Sequence, residues 1–456
     1  MEGWQGPGRS GRARLRHDGR SRIQAARTGV GLADATRNGQ SPPPRWAGVA
    51  LDHLVVMAAG RGTRMDPLTR TRPKVLLPVA GRPLMEHLLV AAKEAGFRRA
   101  TFIVHEGQEQ IRSRYDGGAV GLDVAFIDQG KPQGTGHAVA ALADQVADPF
   151  VLASGDSFLS AADLAKLRSA SGNAVAGRHV PDARAYGLLA IQGGKVQGIL
   201  EKPAAGDGHV NAGAYRFEAD VIARCRKLKP SPRGEFELTD AVTGLAKDGH
   251  APAYVEVPSW MEAGRPWDLL DLQAHLLAGL KTRIDGDVGE RVDVVGPVVV
   301  EAGAKVLNGC RIEGPVWIGA DAKIGPNAYL RPATSIGAKA HIGGSVEVKN
   351  SIVGEGSNVP HLSYVGDSVI GSGSNLGAGT QVANLKVSDH GVRVHWQGKQ
   401  WLDTGRRKLG IVCGDDVKVG VNCSLNPGTV LCPGVRVGAG QTLSGWVEPT
   451  ESPIHR

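Results

Sequence analysis

Residues 300–348 read VEAGAKVLNGCRIEGPVWIGADAKIGPNAYLRPATSIGAKAHIGGSVEV. An aliphatic residue recurs at every sixth position, from Val300 through Val306, Ile312, Ile318, Ile324, Leu330, Ile336 and Ile342 to Val348. Val288 and Val294 extend the series toward the N-terminus. It then slips by one residue to Val353, Val359 and Val365, and slips again to Ile370, Leu376 and Val382. After an interruption it returns at Cys413, Val419, Leu425, Leu431, Val437 and Leu443. A helix repeats at about 3.6 residues and a strand at about 2, and neither produces this series. A period of six arises when each short strand turns one corner of a prism and sends one side chain into a stacked interior. The region 287–446 therefore reads as a left-handed parallel β-helix of hexapeptide repeats. Such a helix is a scaffold and does not by itself name a function.

Upstream the pattern is different. Residues 53–58 form an apolar strand running into a glycine turn, and 100–104, 124–127 and 150–153 read as buried strands. Over 83–95, Leu84, Leu88, Ala91 and Ala95 share one helical face, with Gly96 as a C-cap. Strand and helix alternate, which predicts a Rossmann-like, doubly wound α/β domain over 51–275 with its ligand beyond the strand C-termini. A linker over 276–286 joins it to the β-helix, and 447–456 form a tail.

Residues 1–48 contain nine Arg and no Lys, against Glu2, Asp18 and Asp34. Most of the formal net charge of +8 therefore lies in this segment. We read 1–50 as a disordered Arg-rich extension. The rest is close to neutral, which argues against a nucleic-acid partner. No apolar run is long enough to span a bilayer. The five Cys form no C-x-x-C pair, so neither a zinc site nor a disulfide framework is expected, and a cytoplasmic setting follows. Glycine is abundant, at 64 residues, and aromatics are scarce, at 5%, a composition of many tight turns.

The first candidate site follows the first strand. In the stretch 57–65, MAAGRGTRM, Gly60 and Gly62 let backbone N–H groups approach an anion. Met65 breaks a dinucleotide fingerprint, and the Lys-Ser/Thr of a Walker loop is missing. Arg64 and Lys74, the latter in RPKVLLP at 72–78, place two cations beside the turn, which suits a triphosphate. Together with G-T-G-H-A at 134–138, S-G-D at 154–156, E-K-P at 201–203 and N-A-G at 211–213, this set resembles the sugar-1-phosphate nucleotidyltransferases. The resemblance implies that Ala58, Ala59 and Gly60, with Gln133, Gly134 and Thr135, hold the nucleotide. It implies that Arg64 and Lys74 are catalytic contacts to phosphate, and that Gly187, Glu201 and Asn211 hold the sugar. Asp156 would be a Mg²⁺ carboxylate. The family's second metal ligand is an Asp in W-x-D-x-G-x-P. Here 260–266 read WMEAGRP, so Glu262 stands in that place.

The second candidate site lies in the β-helix. Y-L-R-P at 329–332, V-E-V-K-N at 346–350, P-H-L-S-Y-V-G-D at 360–367 and N-L-G-A-G-T at 375–380 recur about one coil apart. Stacking brings Arg331 and Lys349 together as a basic pair for a sugar phosphate, with His361 as a base near neutral pH. This stretch resembles the acetyltransferase half of bifunctional N-acetylglucosamine-1-phosphate uridylyltransferases, and most of all their archaeal form. In that form A-N-L at 383–385 and T-G-R-R-K-L-G at 404–410 flank an inserted loop, which is the interruption of the hexads. The resemblance implies acetyl transfer from acetyl-CoA with His361 as base. It implies that Tyr364, Asn375, Asn384 and Lys408 bind the sugar phosphate, and that Ala378 and Gly379 contact the acetyl donor. UTP would be the nucleotide substrate, and a homotrimer the assembly. One alternative stays open: a glucose- or mannose-1-phosphate nucleotidyltransferase whose β-helix only oligomerises it. Another is a non-catalytic scaffold. The sugar epimer and the choice between UTP and dTTP also stay open.

Overall fold

The computed structural model describes residues 51–203 and 206–450. The expected extension over 1–50 lies outside the described residues, as does 451–456 of the tail. The first domain is built on a nine-stranded sheet. The strands lie in the order Asp123–Asp128, Arg99–Val104, His53–Met57, Phe150–Ser154, Gly208–Phe217, Ala174–Val180, Ala253–Glu256, Lys195–Glu201, Gly187–Gln192. The first four are mutually parallel. Gly208–Phe217 is antiparallel to both its neighbours. The strand His53–Met57 is apolar along its length because both faces are covered. Leu54 and Val56 pack with Leu88 and Phe102 on one side, and Val55 packs with Val139 and Leu152 on the other. The helix Leu84–Glu94 ends as its pattern requires, with Gly96 at φ 89°. From His53–Met57 the chain winds outward through two strands and then returns to Phe150–Ser154 on the opposite flank. The ends of those two central strands form the switch point where doubly wound sheets bind ligands.

The second domain is a left-handed β-helix of three parallel sheets, of nine, eight and eight strands. Corresponding hexad residues pair between coils, as in Ile312↔Leu330 and Ile318↔Ile336. Val306, Ile312, Ile318, Ile324, Leu330, Ile336, Ile342 and Val348 are all sealed in one interior stack. Each slip of the hexads is a coil shorter by one residue: Ile336 pairs with Val353, and Val353 with Ile370. Ile370 then pairs directly with Cys413, so 383–410 is an insertion within a single coil.

That insertion contains an antiparallel hairpin, Arg393–Trp396 with Gln400–Asp403. Val392, Val394 and Trp396 are buried in one cluster with Met65, Leu68, Leu77, Trp267 and Leu270 of the first domain. The Trp396 ring meets Trp267 and Trp446 edge-on, at 6.0 and 5.3 Å. The Arg265 guanidinium lies over it at 4.8 Å. On the helix Asp268–Ala278, the buried Gln273 donates to the carbonyls of Ala333 and Ser351 and accepts from Ala80 N and Ser335 Oγ. Arg406 reaches Asp271 at 2.6 Å. The two domains therefore share an apolar seam in which the buried Gln273 amide is paired at both ends.

Candidate active sites

At the switch point a cleft of about 630 Å³ is lined by Ala59, Gly60, Gly62, Lys74, Gln129, Gly134, Thr135, Asp156 and Glu235, among others. Lys74 is only 6% exposed, and its Nζ lies 2.5 Å from Asp156 Oδ2. Burial of an ammonium is sustained here by that carboxylate. Gly62 sits at φ 63°, and a Cβ on it would come within 2.9 Å of Lys74 Cβ. Only glycine lets the turn close over the lysine stem. Glu262 lies in a short strand, Met261–Glu262, paired with Ser157–Phe158, which sets it beside Asp156. Burial, and next the Asp156 charge, push its carboxyl above the ordinary range, while Lys74 and Arg64 oppose the shift. Arg64 is largely exposed and pairs with Glu262 at 3.0 Å.

Ala58 lies just behind the cleft. Its N–H donates to the Ile103 carbonyl, and its own carbonyl accepts from Gln108 Nε2. Gly134 begins the helix Thr135–Ala140 at φ 121°, where a Cβ would meet the Phe236 carbonyl at 2.5 Å. Gln133 does not line the cleft, and its carbonyl accepts from Phe236 N at 2.9 Å. Gln129 does line it, and its side-chain carbonyl is buried with no hydrogen-bond partner. A primary amide in the cleft wall carries both a donor and an acceptor, which suits the edge of a nucleobase. Sequence reasoning passed over Gln129 because it stands outside the G-T-G-H-A run. Gly187 and Glu201 are register partners on adjacent strands. Asn211 is held by Tyr215, with its Nδ2 2.7 Å from the hydroxyl. None of these three is part of the cleft lining.

In the β-helix, Glu347 stacks between Tyr329 and Tyr364 on one prism face. Arg331 pairs with Glu347 at 2.8 Å. Asn384 donates to the Tyr364 hydroxyl at 3.1 Å and to Asp367 at 2.5 Å. Asp367 is 4% exposed, accepts also from Asn350, and lies 3.6 Å from Lys349. It is the hub of the cluster, and sequence reasoning did not single it out. Burial, and then Asp367 and Glu347, raise the Tyr364 phenol pKa. Lys408 sits opposite Leu385 across the base of the insertion, where Leu409 N donates to the Asn384 carbonyl. His361 is exposed at a prism corner beside His341, whose pKa is lowered by burial, Lys323 and His361. The Gly379 N–H donates to the His361 carbonyl at 3.1 Å. That bond ties the turn at Gly379 to the strand end that carries His361. Ala378 accepts from Asn422 N. Asn375 stands on the neighbouring face, between Asn358 and Lys418.

The nucleotidyl transferase family profile matches residues 53–279, and the GMPPB C-terminal domain profile matches 312–439. A bifunctional sugar-1-phosphate nucleotidylyltransferase/acetyltransferase of Sulfurisphaera tokodaii is 37% identical over 84% of this chain and 94% of its own. The bifunctional protein GlmU of Methanocaldococcus jannaschii is 35% identical over 84% of this chain and 93% of its own. The chain belongs to the bifunctional sugar-1-phosphate nucleotidylyltransferase/acetyltransferase family. A glucose-1-phosphate thymidylyltransferase of Streptomyces griseus, at 34% identity, matches 56% of the chain only. The likeness to the bifunctional family spans both domains, which favours two catalytic sites over a β-helix that only oligomerises. As a member of that family the chain is an enzyme, and the nucleotidyl transferase profile falls on the first of the two domains described above.

Proposed function

We propose that this chain acetylates glucosamine-1-phosphate with acetyl-CoA and transfers UMP from UTP to the N-acetylated product, releasing UDP-N-acetylglucosamine and pyrophosphate. The observation that carries the first half of the reading is the buried Lys74 facing Asp156 and Glu262 in a cleft at the switch point. In that cleft an oxygen of the sugar phosphate attacks the α-phosphorus of UTP, the α–β bridging P–O bond breaks, and pyrophosphate leaves. No enzyme nucleophile is required. Lys74 and Arg64 orient the phosphates and offset charge that builds in the transition state. Gln129 faces the base.

Asp156 and Glu262 form a hard, two-carboxylate oxygen set, which fits Mg²⁺ completed by substrate phosphates. When bound, the ion would neutralise phosphate charge and hold it in line. Glu262 is one methylene longer than the family's usual Asp and stands beside Asp156 on its short strand. In the β-helix, Arg331 and Lys349 take the sugar phosphate. The amine attacks the thioester carbonyl, its proton passes to His361, and the C–S bond breaks to release CoA. Asn375 on the adjacent face supports a site completed between copies, and hence a homotrimer. The five buried, unbridged cysteines support a cytoplasmic setting.

Purified protein supplied with UTP, Mg²⁺, acetyl-CoA and glucosamine-1-phosphate is expected to yield UDP-N-acetylglucosamine. Lys74→Ala lowers nucleotidyl transfer by about 10²-fold or more and leaves acetylation intact, and His361→Ala does the reverse. Joint loss of both activities in either variant removes the assigned role.

A further inference from the structure

The turn that carries Lys74 belongs to the first domain, yet the second domain grips it from behind. Asp415 follows the strand Ile411–Cys413, the first strand after the insertion. Its Oδ1 accepts from Ser372 N at 2.7 Å, which fixes the carboxylate to its own β-helix. Its Oδ2 accepts from Thr71 Oγ1 and from Arg72 Nη2, each at 2.6 Å. Arg72 Nη2 also donates to Ser372 Oγ at 3.0 Å. The Arg72 and Asp415 side chains are 24% and 20% exposed, so this pair is less screened than a surface ion pair. Arg70 adds a second grip through Glu448 at 2.6 Å.

From Arg72 to Lys74 the chain is stiff. Pro73 fixes its own φ, at –56°. Lys74–Leu76 form a single tight turn, with Leu76 N bonded to the Pro73 carbonyl and Leu77 N to the Lys74 carbonyl. A displacement at Thr71 and Arg72 is therefore passed on to Lys74 and its contact with Asp156.

We propose that Asp415, in the β-helix, is a positioning residue for nucleotidyl transfer, holding the Thr71–Arg72 backbone so that Lys74 meets Asp156. This rests on the nucleotidyl-transfer reading above and adds a remote requirement to it. Asp415 touches no substrate and acts through the loop. Small displacements of a catalytic group are costly, at up to about 10²-fold per ångström.

The test compares full-length Asp415→Ala, Asp415→Glu, Arg72→Ala, Thr71→Val and the Asp415→Ala/Arg72→Ala pair, each assayed for both activities and for Tm. The expected result is a fall of about 10- to 100-fold in nucleotidyl-transfer kcat for Asp415→Ala, with little change in KM and unchanged acetyl transfer. Asp415→Glu recovers part of the rate, and the double variant is no slower than either single one, because one grip is lost in all three. Thr71→Val, which removes one hydroxyl and leaves the ion pair, gives a smaller fall in the same kcat and serves if Asp415→Ala does not fold. Unchanged kcat in these variants overturns the proposal. So does a parallel fall of both activities with Tm, which would make the contact structural only. A wild-type enzyme that acetylates without nucleotidyl transfer removes the underlying reading as well.

Discussion

His53 opens the central strand with its ring buried and Nε2 2.8 Å from Thr101 Oγ1. Burial, and next the Arg99 charge, lower its pKa to about 4. The folded state keeps this imidazole neutral, whereas the unfolded chain protonates it near its ordinary value. Stability is therefore full above the unfolded pKa and is lost as pH falls toward the folded one. At about 1.4 kcal/mol per unit, His53 removes about 3 kcal/mol between pH 6.5 and 4. Urea titrations across that window are expected to show a shallower decline in His53→Gln, and identical slopes would exclude the effect. Single residues also show where the sequence was readable. Lys74 and Asp156 stand in local runs whose chemistry is visible without a partner. Gln129 and Gln133 both precede the G-T-G-H-A run, and only the fold shows which of them lines the cleft. Asp415 was silent because its partner Arg72 is 343 residues away in the chain.

At the scale of elements, the hexads were legible because a β-helix decides each inward position by local period alone. Val348 and Val353 are five apart in sequence, yet each fills the same stack as its coil-mates. The hairpin of the insertion was not legible in the same way. Its Val392, Val394 and Trp396 are covered by another domain, and no periodicity in 383–410 announces that partner. The helix Asp268–Ala278 carries a similar long-range commitment in Gln273, which is 0% exposed and bonded on both amide ends. Gln273→Leu keeps the bulk and strips partners from Ala80 N, Ser335 Oγ and the carbonyls of Ala333 and Ser351. Orphaned buried polar groups make this change cost about 3 kcal/mol. The expected sign is a lower urea midpoint at constant slope. A midpoint equal to wild type would mean that water replaces the amide.

For the whole molecule, the junction decides how the two domains unfold. Separate cores ordinarily melt in separate transitions when the contact between them is thin. Here Met65, Leu77, Trp267 and Leu270 of one domain and Val369, Val394, Trp396 and Val412 of the other lie in a single buried cluster. Ion pairs from Arg70, Arg72 and Arg406 cross the same seam. Loss of either domain exposes half of that cluster, so the domains are expected to melt together in one calorimetric transition. Trp396 sits at the centre, between Trp267 and Trp446. Trp396→Ala removes about 3–5 kcal/mol of packing, nearly all of it from the coupling and little from either domain's own core. The first domain should then unfold at a lower temperature than the β-helix, whose interior stack is untouched, and the calorimetric trace should split in two. A single transition displaced to lower temperature would show instead that the seam is strong enough without the indole and that cooperativity resides in the ion pairs and Gln273.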